Sequence, residues 1–133
     1  MECIFCKIAK GDIPSAKIFE DGNVIAFLDI NPATKGHCLI MPKEHFETFL
    51  DAPTDKIYHL TDITKKIAKA MSQALGNKGY NILVNNSKDA GQIIPHLHFH
   101  LIPRYENDRV SLNWKPNKYK EIDKVAEKIK SFL

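Results

Sequence analysis

Cysteine is scarce in this chain: its 133 residues include three, Cys3, Cys6 and Cys38. An odd count in a sequence without an export signal argues against a disulfide framework and for a reducing compartment. Long apolar runs are missing too. No stretch approaches the ~20 residues that a membrane-crossing helix needs, and the opening MECIFCKIAK lacks the basic region and greasy stretch of a secretory leader. The expectation is a cytoplasmic protein with no membrane partner. Charge of one sign is modest. Nineteen Lys and Arg against sixteen Asp and Glu leave a net +3, suited to anionic small molecules and too mild for a nucleic-acid groove. Much of it is local, since Lys115, Lys118, Lys120, Lys124, Lys128 and Lys130 crowd the tail among Glu121, Asp123 and Glu127, as on a solvated helix face. Internal repeats and low-complexity segments are absent.

What is present is an ordinary globular mix, 44% hydrophobic and 26% charged, in a length that makes one domain spanning 1–133 with its own core. Residues 5–10 suit a short helical turn ended by Gly11 and opposed by Pro14. AKIFED and VIAFLD read as two strands joined at Asp21, Gly22 and Asn23, and HCLIMP as a third, closed by Pro42. The run from Pro53 to Gly79 carries the clearest helix. Ile57, Leu60, Ile63, Ile67 and Met71 recur in steps of three and four, Thr54 or Asp55 serves as its cap, and Gly76 or Gly79 stops it. YNILVN is a further strand. Residues 119–133 read as an amphipathic helix with Ile122, Val125, Ile129 and Phe132 or Leu133 on its inner stripe. Consecutive strands with one long helix among them and another at the end give an α+β fold, mainly an antiparallel sheet of five strands.

Half of the six histidines lie in HLHFHLIP. His96, His98 and His100 alternate with Leu97, Phe99 and Leu101, the period of a strand with one buried face. Same-side neighbours stand roughly 6.5–7 Å apart, so adjacent rings are placed to share a ligand. Each buried imidazole carries two nitrogens needing partners, which makes packing alone a poor reason for three. Two readings remain at this point: a metal site, or a row of acid, base and nucleophile groups handling an anion. Cys3 and Cys6 form a C-x-x-C that alone signifies a redox pair, half a zinc site, or nothing.

HLHFHLI fits His-φ-His-φ-His-φ-φ, with φ apolar, the motif of the histidine triad (HIT) superfamily. IFCKIAKGDIPSAKIFED, AFLDINPATKGHCLIMPKEH and LVNNSKDAGQIIPHLHFHLIPRY resemble blocks of its nucleotide-binding, Hint-like branch in the same order. The resemblance covers roughly residues 3–114. It implies an α+β HIT fold with a core over 3–105, a C-terminal extension and helix over 106–133, and a homodimer. The activity it implies is attack on the α-phosphate of a nucleoside phosphoramidate, related nucleotide conjugate or dinucleotide polyphosphate, through a covalent nucleotidyl-histidine.

The resemblance also implies roles. His98 is the nucleophile, His100 a phosphate and leaving-group donor, and His96 the first triad member. Asn85, Gly91 and Gln92 line the phosphate pocket. Phe5, Ile8, Phe27 and Ile30 flank a purine base, and Asp29 accepts from the ribose hydroxyls. Zinc-containing members use a C-x-x-C, a histidine after the third strand and the first triad histidine, so Cys3, Cys6, His45 and His96 would hold a structural zinc with no catalytic metal required. His37 matches a common family position with a supporting role, and Trp114 a segment reaching a partner's site. One departure is Ile93 in GQIIPH, where members commonly carry serine. A hydroxyl there helps protonate a departing amine, so in this chain the proton falls to His100 or solvent. The alternative function is a nucleotide-binding or sensing module with negligible turnover.

Overall fold

Short β-rich segments, each closed by glycine, proline or a polar pair, become the five strands of one antiparallel sheet. The computed structural model describes residues 2–133. Its elements are α1 (Ile4–Lys10), β1 (Lys17–Glu20), β2 (Val24–Leu28), β3 (Cys38–Pro42), α2 (Thr54–Leu75), β4 (Gly79–Leu83), β5 (Phe99–Arg104) and α3 (Ile122–Lys130). The strand order is β1-β2-β3-β5-β4, with every neighbouring pair antiparallel.

The sheet is covered on both faces, which is why VIAFL and CLIMP are buried nearly throughout instead of alternating with polar residues. Val24, Ala26, Cys38, Ile40, Phe99 and Leu101 face α2 and meet Leu60, Ile63, Ile67, Ala68 and Met71. Ile25, Phe27, Leu39 and Met41 face the other way, toward Phe5 of α1. Along β5 the same alternation turns Phe99 and Leu101 to α2 and leaves His100, paired across the sheet with Leu39, on the side of α1. Cys38 is fully buried, and burial pushes its thiol up to about 12, as expected of a core cysteine.

Three sequence expectations are corrected. The histidine strand begins at Phe99, not His96. The chain bends across Ile94–His96, yet the alternation persists: Leu97 joins the α2 layer and His96 packs on Phe5 of α1. The long helix has Pro53 at its N-cap, and neither Thr54 nor Asp55 caps it with a side chain; proline supplies the fixed φ that starts the first turn. Its other end closes on Gly76 in the left-handed region, at φ +70°. The last helix is shorter than 119–133, and its apolar stripe is not inner. Ile122, Val125, Ile129, Phe132 and Leu133 are all exposed, because residues 112–120, without regular structure and also exposed, carry the helix away from the sheet.

The two sheet edges differ. On β1, Lys17 and Glu20 pair with each other and a register irregularity bends the strand, both features that discourage further pairing. On β4, Tyr80 and Ile82 present half-exposed apolar side chains and no charge. His59 of α2 is a surface residue tied to Asp21 at 2.6 Å.

Candidate active site and metal cluster

One cavity of about 560 Å³ is walled by α1, the loop following β2, the segment between β4 and β5, and the His98–His100 strand start. Phe5, Ile8, Phe27, Asp29, Ile30, Asn85, Gly91, Gln92, His98 and His100 all line it. Ile30 stands at its rim, 91% exposed, as does Ile93 at 88%. His96, Cys3, Cys6 and His45 do not line it. The triad is therefore divided: two rings face the cavity, and the third belongs to a separate cluster.

Hydrogen-bond partners determine the tautomers. His98 Nδ1 donates to the His96 carbonyl at 2.6 Å, so its proton is on Nδ1 and Nε2 keeps a lone pair. Its ring is 7% exposed and meets the Phe5 ring edge-on at 5.0 Å, so aromatic packing fixes its plane. A second chain runs through His37. The Ala33 N–H donates to His37 Nδ1 at 2.9 Å, which leaves the His37 proton on Nε2. That nitrogen lies 3.0 Å from His100 Nδ1, which must accept, so His100 carries its proton on Nε2. One ring in the cavity is thus a lone-pair donor and its neighbour, 4.9 Å away between centroids, a proton donor.

Burial keeps these rings neutral. Desolvation lowers the pKa of His98, opposed by its bond to the His96 carbonyl and by Asp29. Desolvation first, then the neighbouring His98 and His37, bring His100 down to about 4. His37 is lowered by burial against the opposing pull of Asp29. The loop that delivers His37 turns at Gly36, with φ +94°, where an added Cβ would collide with Leu75; only glycine fits there.

Asp29 comes from the end of β2. Its Oδ1 accepts the Asn31 N–H at 2.8 Å and its Oδ2 lies 3.6 Å from His37 Nε2. The sequence offered no carboxylate on the histidine strand, yet the fold gathers Asp29, His37 and His100 within 4.8 Å. A cation there would need the His37 Nε2 lone pair, and the Ala33 bond leaves a proton on that atom, so the tautomer favours a hydrogen-bond relay over ligation.

Gln92 sits differently from a phosphate-contacting side chain. Its Oε1 accepts the Ser87 N–H at 2.7 Å, and its Nε2 donates to the carbonyls of Glu47 at 2.7 Å and Ile94 at 3.1 Å. The Gly91 and Gln92 N–H groups are also engaged inside the loop, on Lys88 and Ser87 carbonyls. Asn85 makes no side-chain hydrogen bond among the described residues and is free to serve a ligand.

The second cluster contains Cys3, Cys6, His45 and His96, whose ligand atoms all lie within 4.8 Å of one another. Cys3 Sγ and Cys6 Sγ lie 3.5 and 3.6 Å from His96 Nδ1. Cys6 Sγ lies 3.4 Å from His45 Nδ1, and the two Nδ1 atoms are 3.2 Å apart. Tetrahedral zinc with ordinary bond lengths implies edges of roughly 3.5 Å between sulfur and nitrogen and roughly 3.3 Å between nitrogens. The donor set fits in spacing and chemistry. His96 is already oriented for it, because its Nε2 donates to the Pro42 carbonyl at 2.8 Å and so leaves Nδ1 as the lone-pair nitrogen.

Sequence reasoning gave His37 only a supporting place and missed its bond to His100. The available signal was a histidine beside a strand of buried residues, a polar ring that needs partners. Pro14, Ser15 and Leu39 also line the cavity and had no motif to announce them.

The HIT domain model matches residues 10–107. Adenosine 5′-monophosphoramidase of Schizosaccharomyces pombe is 40% identical over 134 residues, covering 98% of each chain. The crystal structure of a HIT family member from Bacillus subtilis superposes with a TM-score of 0.92 at 39% identity, over 100% of this chain and 98% of that one. A zinc-bound histidine triad family protein from Mycobacterium smegmatis superposes with a TM-score of 0.80 at 37% identity, over 88% and 85% of the two chains.

Proposed function

The chain belongs to the HIT domain family, and from that premise we propose that it is a nucleotide hydrolase acting on nucleoside 5′-phosphoramidates and related conjugates through His98. The observation that carries this reading is the pairing of tautomers in one cavity: a lone pair on His98 Nε2 beside a proton on His100 Nε2. Relatives named adenosine 5′-monophosphoramidase support the substrate class.

In the proposed reaction, His98 Nε2 attacks the α-phosphorus and the bond from phosphorus to the amine nitrogen breaks. His100 Nε2–H hydrogen-bonds the departing amine nitrogen and the phosphate, and the proton the amine takes up comes from solvent, a role Ile93 is unable to share. Water then attacks the nucleotidyl-histidine, loses its proton to solvent, and releases the nucleoside monophosphate with His98 restored. A covalent intermediate divides one difficult substitution into two, and the remaining work is positioning and donation to the phosphate oxygens. Asn85 is the free amide for that donation, Asp29 Oδ2 the acceptor for a ribose hydroxyl, and Phe5, Ile8 and Phe27 the apolar walls for a purine.

His37 contributes by holding the proton on the productive nitrogen of His100. His37→Phe fills the space without the Nε2–H and is expected to lower kcat by about 10- to 100-fold, at or below the low end of the roughly 10²–10⁴ that a positioned acid or base itself contributes, with KM changing less than threefold. Steady-state hydrolysis of an adenosine phosphoramidate measures it; an unchanged kcat refutes the relay.

The pH dependence follows from the sign of the shifts. The neutral rings are the active forms, and His100 has its pKa lowered from 6.5 to about 4. Activity is therefore full above the folded pKa and is lost as pH falls through it. We expect kcat/KM to stay level from pH 8 to below 6 and to decline with an apparent pKa well under 6.5. The same depressed pKa costs folding stability as pH drops from 6.5 toward 4, where the unfolded chain binds protons that the folded one refuses.

The cluster of Cys3, Cys6, His45 and His96 would hold a structural zinc. Four protein ligands close the coordination shell, so its contribution is to fix α1 and the His45 loop against the start of the histidine strand. The unprotected β4 edge, with Tyr80 and Ile82, and the uncovered stripe of α3 support a homodimer in which a second copy covers both. Residues 1–133 then act as one domain, with 106–133 as an arm.

A further inference from the structure

We propose that Gln92 is a positioning residue that couples the Cys3–Cys6–His45–His96 cluster to the nucleotide cavity, so that filling either site tightens the other; this rests on the nucleotide reading above. Three hydrogen bonds join the two regions. The Phe49 N–H donates to Asn86 Oδ1 at 2.7 Å, the Leu97 N–H donates to the Phe46 carbonyl at 2.6 Å, and Gln92 Nε2 donates to the Glu47 carbonyl at 2.7 Å.

The Gln92 bond differs from the others in what lies at each end. Glu47 is two residues from the cluster ligand His45, on a loop held by the His45 ring against Cys6 and His96 and by Phe46 packed on the α2 layer. At the other end, the same amide grips Ser87, a non-glycine residue held at φ +70°. It thereby sets the curl of residues 87–92 that brings Asn85 and Gly91 to the cavity. The opposite wall depends on the cluster as well, because Cys3 and Cys6 flank Phe5 on α1, and Phe5 packs on both His96 and His98. A cation in the cluster would immobilise both walls. A nucleotide between the walls would in turn restrain the loops that present the ligands. Coupling of this kind is reciprocal by thermodynamic necessity.

The test uses the zinc-loaded full chain and adenosine 5′-monophosphate. Zinc release to a chromogenic chelator, followed without and with saturating nucleotide, is expected to slow about 5- to 20-fold in the wild type, the lower part of the range of site-to-site coupling. In Gln92→Ala the slowing should shrink below twofold while zinc content stays at one per chain. Gln92→Glu keeps the acceptor for Ser87 but loses the donor to Glu47, and is expected to uncouple likewise; it also serves if the alanine variant does not fold. Asn85→Ala, in the same loop without a bond to residues 44–49, should weaken nucleotide binding yet keep the slowing once saturated. Nucleotide bound in calorimetry with no effect on wild-type zinc release overturns the coupling alone, and full slowing in both Gln92 variants overturns the assignment to Gln92. Absence of nucleotide binding overturns the functional reading and this inference together.

Discussion

His98→Ala is expected to lower kcat for adenosine 5′-phosphoramidate by about 10⁴-fold or more, the scale on which removing a covalent nucleophile acts. No other ring in the cavity is equipped to substitute. His100 has its Nδ1 committed to His37 and a proton on the opposite nitrogen, and His37 has its Nδ1 committed to Ala33. Binding should change far less, within about threefold for adenosine 5′-monophosphate, since Asp29, Asn85 and the apolar walls remain. The split between lost turnover and retained affinity separates loss of a nucleophile from loss of the pocket. Intact-protein mass measurement after acid-free quenching is expected to show one nucleotidyl adduct on the wild type and none on the variant. Residual activity within tenfold of wild type would overturn the nucleotidyl-histidine route. Tight binding by the wild type with no turnover would favour the binding module.

The division of labour among the three histidines shows how far the sequence reached and where it stopped. Alternation in HLHFHLIP placed the rings on one side of a strand and was correct for His98 and His100, whose side chains share the face of α1 with Leu39. It held for His96 as well, since Leu97 joins Phe99 and Leu101 in the α2 layer while the His96 ring packs on Phe5. What the period of two did not reveal is that the cysteines of α1 lie over that end of the row. The sheet was legible because its central strands are runs of β-formers punctuated by Asp-Gly-Asn, Pro42 and Gly76. The relay through His37 was not, since contact between residues 37 and 100 depends on β3 lying beside β5, a pairing no local pattern specifies. For α3 the amphipathic period was right and the conclusion drawn from it wrong. A stripe of Ile122, Val125 and Ile129 states that a surface wants covering, and says nothing about whether the same chain supplies the cover.

The second large effect concerns the four-ligand cluster. Cys6→Ser is expected to abolish zinc binding, measured as metal per chain by elemental analysis, and to lower the midpoint of thermal unfolding by roughly 10 °C, equivalent to about 3 kcal/mol for a domain of this size. Isolated zinc-dependent peptides lose on the order of 10 kcal/mol or more, but here the two hydrophobic layers on the sheet persist without the ion, so the loss is smaller. It remains large because the four donors are brought together at a real cost. Burial, and then the neighbouring Cys3, raise the Cys6 thiol above its usual value, and two imidazole nitrogens face each other at 3.2 Å with His96 fully buried. Neither arrangement favours itself. Two nitrogens at that distance need a proton or a cation between them, and the Cys6 thiol, pushed toward its protonated form, becomes a good ligand once a metal displaces the proton. Cys38→Ser provides the contrast: its thiol lies in the α2 layer away from the cluster, so it should leave zinc content unchanged while lowering stability through an unpartnered buried hydroxyl. A wild type purified without chelator that carries no zinc, and whose unfolding midpoint is indifferent to added zinc and to Cys6→Ser, would leave the metal assignment without support and the convergence of these four side chains as packing alone.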